Sequence, residues 1–298
     1  MKTDSDIKFS TLYMLNLNAK SRGISLQKNM LHAKKLRLNN LHRKVLKILN
    51  AIEKRKSSNF ENIASDDEYD TYLALRWMLE TGFQDDGLSR GYDETLDAVA
   101  ALLIRKFKDR TVLPLIADLM FKRYNEGRFI YDLIWAYFEH DDPESLLYIG
   151  NKLQSSEFKD VELATRLLCF VPGIENIRDG PSKYSIFIRW YNDNKNYLYH
   201  TGETFHQLSN PQIFAISLEA KYLCIPVSHT DGKFKRQLTE YEEQCLNAFS
   251  NMDAHTKMLL ANYSNFLFKQ NYYEWNIWIH YPIYEQIRIA TAARVGGI

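Results

Sequence analysis

The sequence predicts an all-α fold, and three observations lead to that class. The chain of 298 residues contains only 12 glycines and 7 prolines, too few for a fold built from many short strands and turns. Apolar residues recur at spacings of three and four over most of its length, as they do on the buried face of a helix. Alternating patterns typical of strands are scarce. We therefore expect helices of roughly 12–15 residues joined by short turns.

The charges divide unevenly between the first 56 residues and the rest of the chain. Residues 1–56 hold 14 lysines and arginines but only three acidic residues, whereas residues 57–298 hold 24 basic and 34 acidic residues. The net charge of +1 therefore conceals a basic N-terminal segment and an acidic body. An asymmetry of this size is typical of an interaction arm, or of two surfaces that attract each other.

Residues 1–56 are predicted to form a basic amphipathic helical arm. Its apolar positions fall at helical spacings, at Leu31, Leu38, Leu41, Val45, Leu49 and Ile52. The basic residues between them are Lys34, Lys35, Arg37, Arg43, Lys44 and Lys47. We favour packing of the apolar stripe on the body of the protein, with the charges in solvent. The alternatives are that the arm binds nucleic acid or a phospholipid surface, or that it docks onto the acidic body of a second copy.

Residues 57–180 are predicted to form helical hairpins. Apolar stripes occupy the segments 73–79, 96–107, 112–120, 130–138 and 158–171, with turns between them. Each helix is too short to bury its own face, so neighbouring helices must stack on one another. Asp142, Pro143 and Glu144 indicate the start of a further helix, because proline suits the first helical position and an acid suits the first turn. The pattern predicts an α-solenoid.

The stretch "DVELATRLL", residues 160–168, resembles the second helix of a HEAT repeat, which typically carries Asp-Val followed by arginine and alanine. The resemblance extends over roughly residues 66–171. It implies a HEAT-like solenoid, in which stacked helical hairpins present a concave groove. It concerns architecture alone and implies no activity.

Residues 181–298 are predicted to form a more compact helical region that continues the solenoid. We expect a helix over residues 210–223 and a turn at residues 231–232. Thr239 and Glu242 have the spacing of a capping box, in which each residue satisfies a backbone N–H of the other. A new helix therefore opens at this point.

The C-terminal stretch "EWNIWIHYPIYEQIRIATAARVGGI" is predicted to close the core. Apolar residues recur every four positions, at Trp275, Ile279, Ile283 and Ile287, with Trp278 beside them. Pro282 must either kink this helix or begin a new one. The residues left on the other side, which form a candidate contact edge for a partner, are Tyr281, Tyr284 and Arg288.

The helix predicted at residues 127–140 carries a second face beside its core stripe. The residues on that face are Arg128, Tyr131, Asp132, Trp135 and Glu139. Such a face either packs on a neighbouring repeat or lines the groove of the solenoid, where mixed aromatic and charged residues would recognise a partner. Alkylpurine DNA glycosylases built from HEAT-like repeats use groove tryptophans with an aspartate, and Asp132 and Trp135 resemble that pairing. The acidic balance of residues 57–298 argues against DNA in this groove.

No catalytic residues are indicated. The nearest approach to a metal site is "HTGETFH", in which His200, Glu203 and His206 lie close together, with His229 and Asp231 downstream. The spacing is not that of HExxH, and we interpret these residues as polar loop residues. We expect no metal and no cofactor.

The three cysteines are Cys169, Cys224 and Cys245, and they lie too far apart to form a CxxC pair. We interpret them as buried, inert thiols. Their number and spacing suggest no disulfide framework, which favours a reducing compartment. The N terminus has no apolar run after its basic residues, and no apolar stretch of 18 residues occurs. These features predict a cytoplasmic protein without a transmembrane segment.

Together these features favour a non-enzymatic scaffold or adaptor that binds another protein through its groove, its arm or its aromatic C-terminal region. Self-association between the basic arm and the acidic body of a second copy is a further expectation. The first alternative is nucleic-acid binding, extending to a HEAT-like DNA-repair glycosylase. The second alternative is a metal-dependent hydrolase.

Overall fold

The computed structural model describes residues 7–21, 38–54 and 68–295, and these fall into two compact units that divide between His140 and Asp141. The predicted all-α class is confirmed, since the described residues form fourteen α-helices and one short two-stranded sheet. The helical-repeat architecture stays a prediction. No helix in the described ranges is long and apolar enough to cross a bilayer.

The N-terminal unit contains six α-helices within the described ranges. They are α1 (Phe9–Ser21), α2 (Asn40–Lys54), α3 (Glu68–Gly82), α4 (Arg90–Arg105), α5 (Leu113–Asn125) and α6 (Tyr131–Phe138). α1 packs on α3 and α4 through Phe9, whose ring stacks on Tyr92 with 5.2 Å between centroids. Only glycine fits at position 82, because a Cβ on Gly82 would lie 2.8 Å from the Tyr92 hydroxyl and 2.9 Å from the Phe9 ring.

A buried guanidinium joins α5 to α4 in the N-terminal unit. Arg123 on α5 is only 1% exposed, and its Nε and Nη2 atoms donate to Asp86 at 3.0 and 2.7 Å. Its Nη1 atom donates to Asp97 on α4 at 2.8 Å. Both carboxylates are buried, so each charge in the group depends on its partners for the hydrogen bonds that water would otherwise supply.

The C-terminal unit contains eight α-helices and a short hairpin. The helices are α7 (Ser145–Asn151), α8 (Phe158–Leu167), α9 (Gly180–Asn194), α10 (Leu218–Leu223), α11 (Glu240–Ser250), α12 (Ala254–Gln270), α13 (Tyr272–Ile279) and α14 (Ile283–Val295). The strands β1 (Leu198–His200) and β2 (Phe214–Ile216) pair antiparallel between α9 and α10.

The helix predicted over residues 210–223 is wrong in its first half. Residues Phe214–Ile216 form β2, and α10 begins only at Leu218, where the Ser217 hydroxyl accepts a hydrogen bond from the Ala220 N–H. Pairing with β1 and complete burial of Phe214 override the local preference for a helix. The predicted capping box of Thr239 and Glu242 is confirmed at the start of α11.

The core of the C-terminal unit surrounds Tyr222 on α10. Its ring stacks on Phe249 of α11 at 4.4 Å, and its hydroxyl donates to Gln286 of α14 at 2.8 Å. Trp278 and Ile279 are buried in the same cluster, so the aromatic C-terminal stretch does close a core. Pro282 separates two helices, because α13 ends at Ile279 and α14 begins at Ile283.

We predict that Arg123→Met destabilises the protein by about 3–5 kcal/mol, because the substitution leaves Asp86 and Asp97 buried without their counter-charge. Urea unfolding followed by circular dichroism measures the loss. The matched control is Arg90→Ala, which removes a surface arginine paired with Glu94 on α4 and costs at most about 0.5 kcal/mol. Equal losses of unfolding free energy in the two variants would show that the buried ion network of Arg123 contributes no more to stability than a surface ion pair.

Candidate functional site

The basic residues of the predicted arm fall into two groups. Lys34, Lys35 and Arg37 lie outside the described residues. Arg43 and Lys47 are exposed on α2, and Lys44 is half-buried at a cleft of about 550 Å³ between α2 and α3. The same helix buries Val45 and Leu49 completely, so its apolar stripe packs on the body of the protein.

The charges around the cleft in the N-terminal unit are mixed. It is lined by two basic residues, Lys44 and Arg76, and by two acidic residues, Asp70 and Glu80. Arg76 also donates to Asp109 at 3.1 Å, so its charge is already neutralised. A cleft with this lining does not present the uniformly positive surface that phosphates require.

The five candidate residues near α6 do not form one surface of similar character. Arg128 binds Asp86, Asp93 and Glu126, so it extends the buried ion network around Arg123. Its guanidinium therefore stabilises the unit.

The neighbouring aromatic candidate is covered by another side chain. The guanidinium of Arg105 lies 4.8 Å above the Trp135 ring and 3.6 Å from the Glu139 carboxylate. Tyr131 and Asp132 are exposed, and the Tyr131 ring lies 5.6 Å from Phe129. Only these last two candidates present polar and aromatic groups openly at the surface.

Two of the candidate metal ligands, Glu203 and His229, form hydrogen bonds within the hairpin region. Glu203 accepts a hydrogen bond from the Gln212 N–H at 2.7 Å, and the Nδ1 atom of His229 lies 2.7 Å from the Leu198 carbonyl oxygen. The described residues contain no group of three or more histidine, cysteine or acidic side chains that could hold a metal ion.

The three thiols lie in environments that disfavour the thiolate. Cys224 and Cys245 are buried, and Cys169 is half-buried. Burial raises the pKa of all three, and it raises the pKa of Cys224 to about 11. These groups stay protonated at neutral pH, which fits the prediction of inert thiols.

An open cleft of about 660 Å³ in the C-terminal unit is lined with aromatic side chains, and we call it the aromatic cleft. One group of rings consists of Phe268, Tyr272 and Trp275, which lie 5.1–5.6 Å apart between centroids. The second group is Tyr241 and His280, which stack in parallel at 4.5 Å. The buried part of the lining includes Leu223, Cys224, Ile225, Cys245 and Ile279.

Hydrogen bonds to the protein fix three of these five rings in place. The Trp275 indole N–H donates to the Ser264 hydroxyl at 2.8 Å, and the Tyr241 hydroxyl donates to the Ile279 carbonyl at 2.9 Å. The Nδ1 atom of His280 lies 2.6 Å from the Asn276 carbonyl, which can only accept, so that nitrogen carries a proton. Rings held in this way lose little conformational entropy when they bind a ligand.

The charges at the cleft are Lys235, Arg236 and Glu242. Arg236 donates to both carboxylate oxygens of Glu242, at 2.8 and 2.5 Å. These bonds from Arg236 lower the pKa of Glu242 to about 2, so the pair is ionised and neutral overall at physiological pH. Lys235 is exposed and makes no ion pair with the described residues.

The sequence pattern indicates only part of this cleft. It places Trp275 in the core and does not single out Tyr241, Phe268, Tyr272 or Lys235, which also line the cleft. The spacing of three from Tyr272 to Trp275 was the available signal, since it places two rings on one side of α13. Helix periodicity alone does not distinguish such a side from a buried face.

The predicted contact edge consists of Tyr281, which precedes α14, and of Tyr284 and Arg288 on α14. Tyr281 and Tyr284 are 42% and 70% exposed, and Arg288 donates to Glu285 at 2.6 Å. None of the three lines the cleft.

Comparisons with protein-family models, with curated proteins and with solved structures find no match for this chain.

The ion network of the N-terminal unit contains one carboxyl group that titrates near neutrality. Burial raises the pKa of Asp97 from 3.8 to about 7, because its one hydrogen bond from Arg123 offsets only part of the cost of burying the charge. Burial also opposes ionisation of Asp86, but the bonds from Arg123 and Arg128 lower its pKa.

We predict that Asp97→Asn flattens the dependence of stability on pH between about 4 and 7. The folded state of the natural protein binds an extra proton in this range, so the contribution of Asp97 falls as the pH rises. The expected difference between the two proteins is about 2–4 kcal/mol across the range, measured by urea unfolding. Glu94→Gln, an exposed change on the same helix, is the control. Parallel curves for Asp97→Asn and the natural protein would contradict the prediction.

Proposed function

We propose that the protein is a non-enzymatic interaction protein that binds a peptide segment of a partner protein in the aromatic cleft of its C-terminal unit. The observation that supports this proposal is the exposure of rings around a concave, apolar surface. Tyr272, Tyr241 and Phe268 are 61%, 38% and 36% exposed although each lines the cleft. Concave sites lined mainly by apolar and aromatic side chains with a few polar groups are typical of ligand and peptide binding.

The chemistry of the lining favours recognition over catalysis. Aromatic residues dominate the energetics of protein interfaces because one ring covers a large area at a small entropic cost. Burial raises the pKa of Cys224 and Cys245, so these thiols supply packing surface to the cleft and no nucleophile at neutral pH. Glu242 is ionised against Arg236, which removes it as a proton donor.

The scaffold role expected from the sequence remains part of this proposal. A helical-repeat body, contact through residues 1–56 and self-association are compatible with a peptide-binding cleft, and each stays a prediction.

Selection of peptides from a random library displayed on phage tests the proposal with a defined probe. The full chain is immobilised, and enriched peptides are synthesised with a fluorescent label for titration by anisotropy. We predict that Tyr272→Ala weakens their binding about tenfold, as loss of a central aromatic contact does.

The chain offers a matched control in the next residue. Tyr273 is 72% exposed on the same helix, but it does not line the cleft, so Tyr273→Ala should leave the affinity within about twofold. Because both substitutions replace exposed residues, both variants should unfold at the same urea concentration as the natural protein. Failure to enrich any peptide, or equal effects of the two substitutions, would overturn the proposed function.

A further inference from the structure

The aromatic cleft is more positive than the unit that contains it. Residues 141–298 include 15 lysines and arginines against 18 acidic residues, a net charge of −3 without the histidines. The cleft carries Lys235, Arg236 and Glu242, which gives it a charge of +1 in an acidic unit. A local reversal of sign selects the charge of the ligand that binds there.

The excess positive charge belongs to one side chain. The guanidinium of Arg236 and the carboxylate of Glu242 hold each other through two hydrogen bonds, and Glu242 is also part of the capping box of α11. Lys233, two residues before Lys235 on the same loop, pairs with Asp231 at 3.0 Å and does not line the cleft. Lys235 alone on this loop lines the cleft with a charge that no ion pair among the described residues neutralises.

We propose that the aromatic cleft recognises an acidic peptide segment in which an aromatic or large aliphatic side chain lies next to a carboxylate. This inference rests on the proposed function. The apolar side chain packs against Tyr272, Trp275 and Tyr241, and the carboxylate pairs with the ammonium group of Lys235. The rings supply most of the affinity, whereas the lysine sets the preference for acidic over basic segments.

Single-stranded nucleic acid and a second copy of the chain are two other occupants to compare with the acidic peptide. Single-stranded nucleic acid stacks on aromatic rings, but its phosphates require a groove lined with several cations. The cleft offers a charge of only +1 and keeps the Glu242 carboxylate in its lining. A second copy of the chain would have to present an acidic segment with an apolar side chain, which makes it one instance of the proposed ligand.

A set of synthetic peptides with the same central tryptophan tests the inference directly. The tryptophan is flanked by aspartate and glutamate in the first peptide, by serine and glycine in the second, and by lysine and arginine in the third. Titration of the full chain by fluorescence anisotropy should give the order acidic, neutral, basic from tightest to weakest. Raising the salt concentration should weaken only the acidic peptide.

Charge reversal at the two lysines provides the matched pair of variants. Lys235→Glu should weaken binding of the acidic peptide about fivefold and leave the neutral peptide within about twofold. Lys233→Glu changes the net charge of the protein equally but lies outside the cleft, so it should change neither peptide by more than about twofold. Both lysines are exposed, and circular dichroism of each variant should match that of the natural protein.

The outcomes separate this inference from the proposed function. Equal binding of the three peptides, weakened by Tyr272→Ala but not by Lys235→Glu, would overturn the acidic preference and leave the peptide-binding cleft in place. Absence of binding to all three peptides, together with no enrichment from the library, would overturn both. Displacement of the acidic peptide by a short single-stranded oligonucleotide with higher affinity would overturn the inference in favour of nucleic acid.

Discussion

The hydroxyl group of Ser264 joins three helices of the C-terminal unit, and the aromatic cleft depends on its position. It lies fully buried on α12, accepts a hydrogen bond from the Trp275 indole of α13, and donates to the Tyr222 carbonyl of α10 at 2.5 Å. The Cys224 sulfur lies 3.5 Å away. A serine hydroxyl has one donor and two acceptor sites, so the bonds with Trp275 and Tyr222 use its donor and one of its acceptor sites. The ring that forms part of the cleft is therefore positioned from within the core.

In the N-terminal unit, a buried ion network specifies how the helices pack. It buries the guanidinium of Arg123 between Asp86 and Asp97 and extends the network outward through Arg128. Buried ion pairs contribute little net stability compared with apolar packing, but a missing partner is costly. α4, α5 and the turn that precedes α4 must therefore adopt one mutual arrangement. Arg128, a candidate binding residue in the sequence, therefore stabilises the packing of these elements.

The sequence predicted the helices well because helix periodicity and capping are local properties. The capping box at Thr239 and the turn before Gly232, whose φ is +70°, depend on a few neighbouring residues. β2 was missed because its pairing partner lies about one loop away along the chain. The cleft was missed for the same reason, since Lys235 and Phe268 line one cleft only when α11, α12 and α13 pack together. Periodicity identifies the apolar face of a single helix. Prediction of a site also requires knowledge of which helices pack against each other.

Glu242 serves the fold and the cleft at once. Its carboxylate completes the capping box of α11 by accepting from the Thr239 N–H at 2.8 Å, and it also neutralises Arg236. A mutation there would lose a helix cap and alter the charge of the cleft together, so selection for stability would oppose it. Lys235 is not part of the capping box, although it lines the same cleft. A substitution at Lys235 can therefore change the charge of the cleft while the helix cap of α11 stays intact.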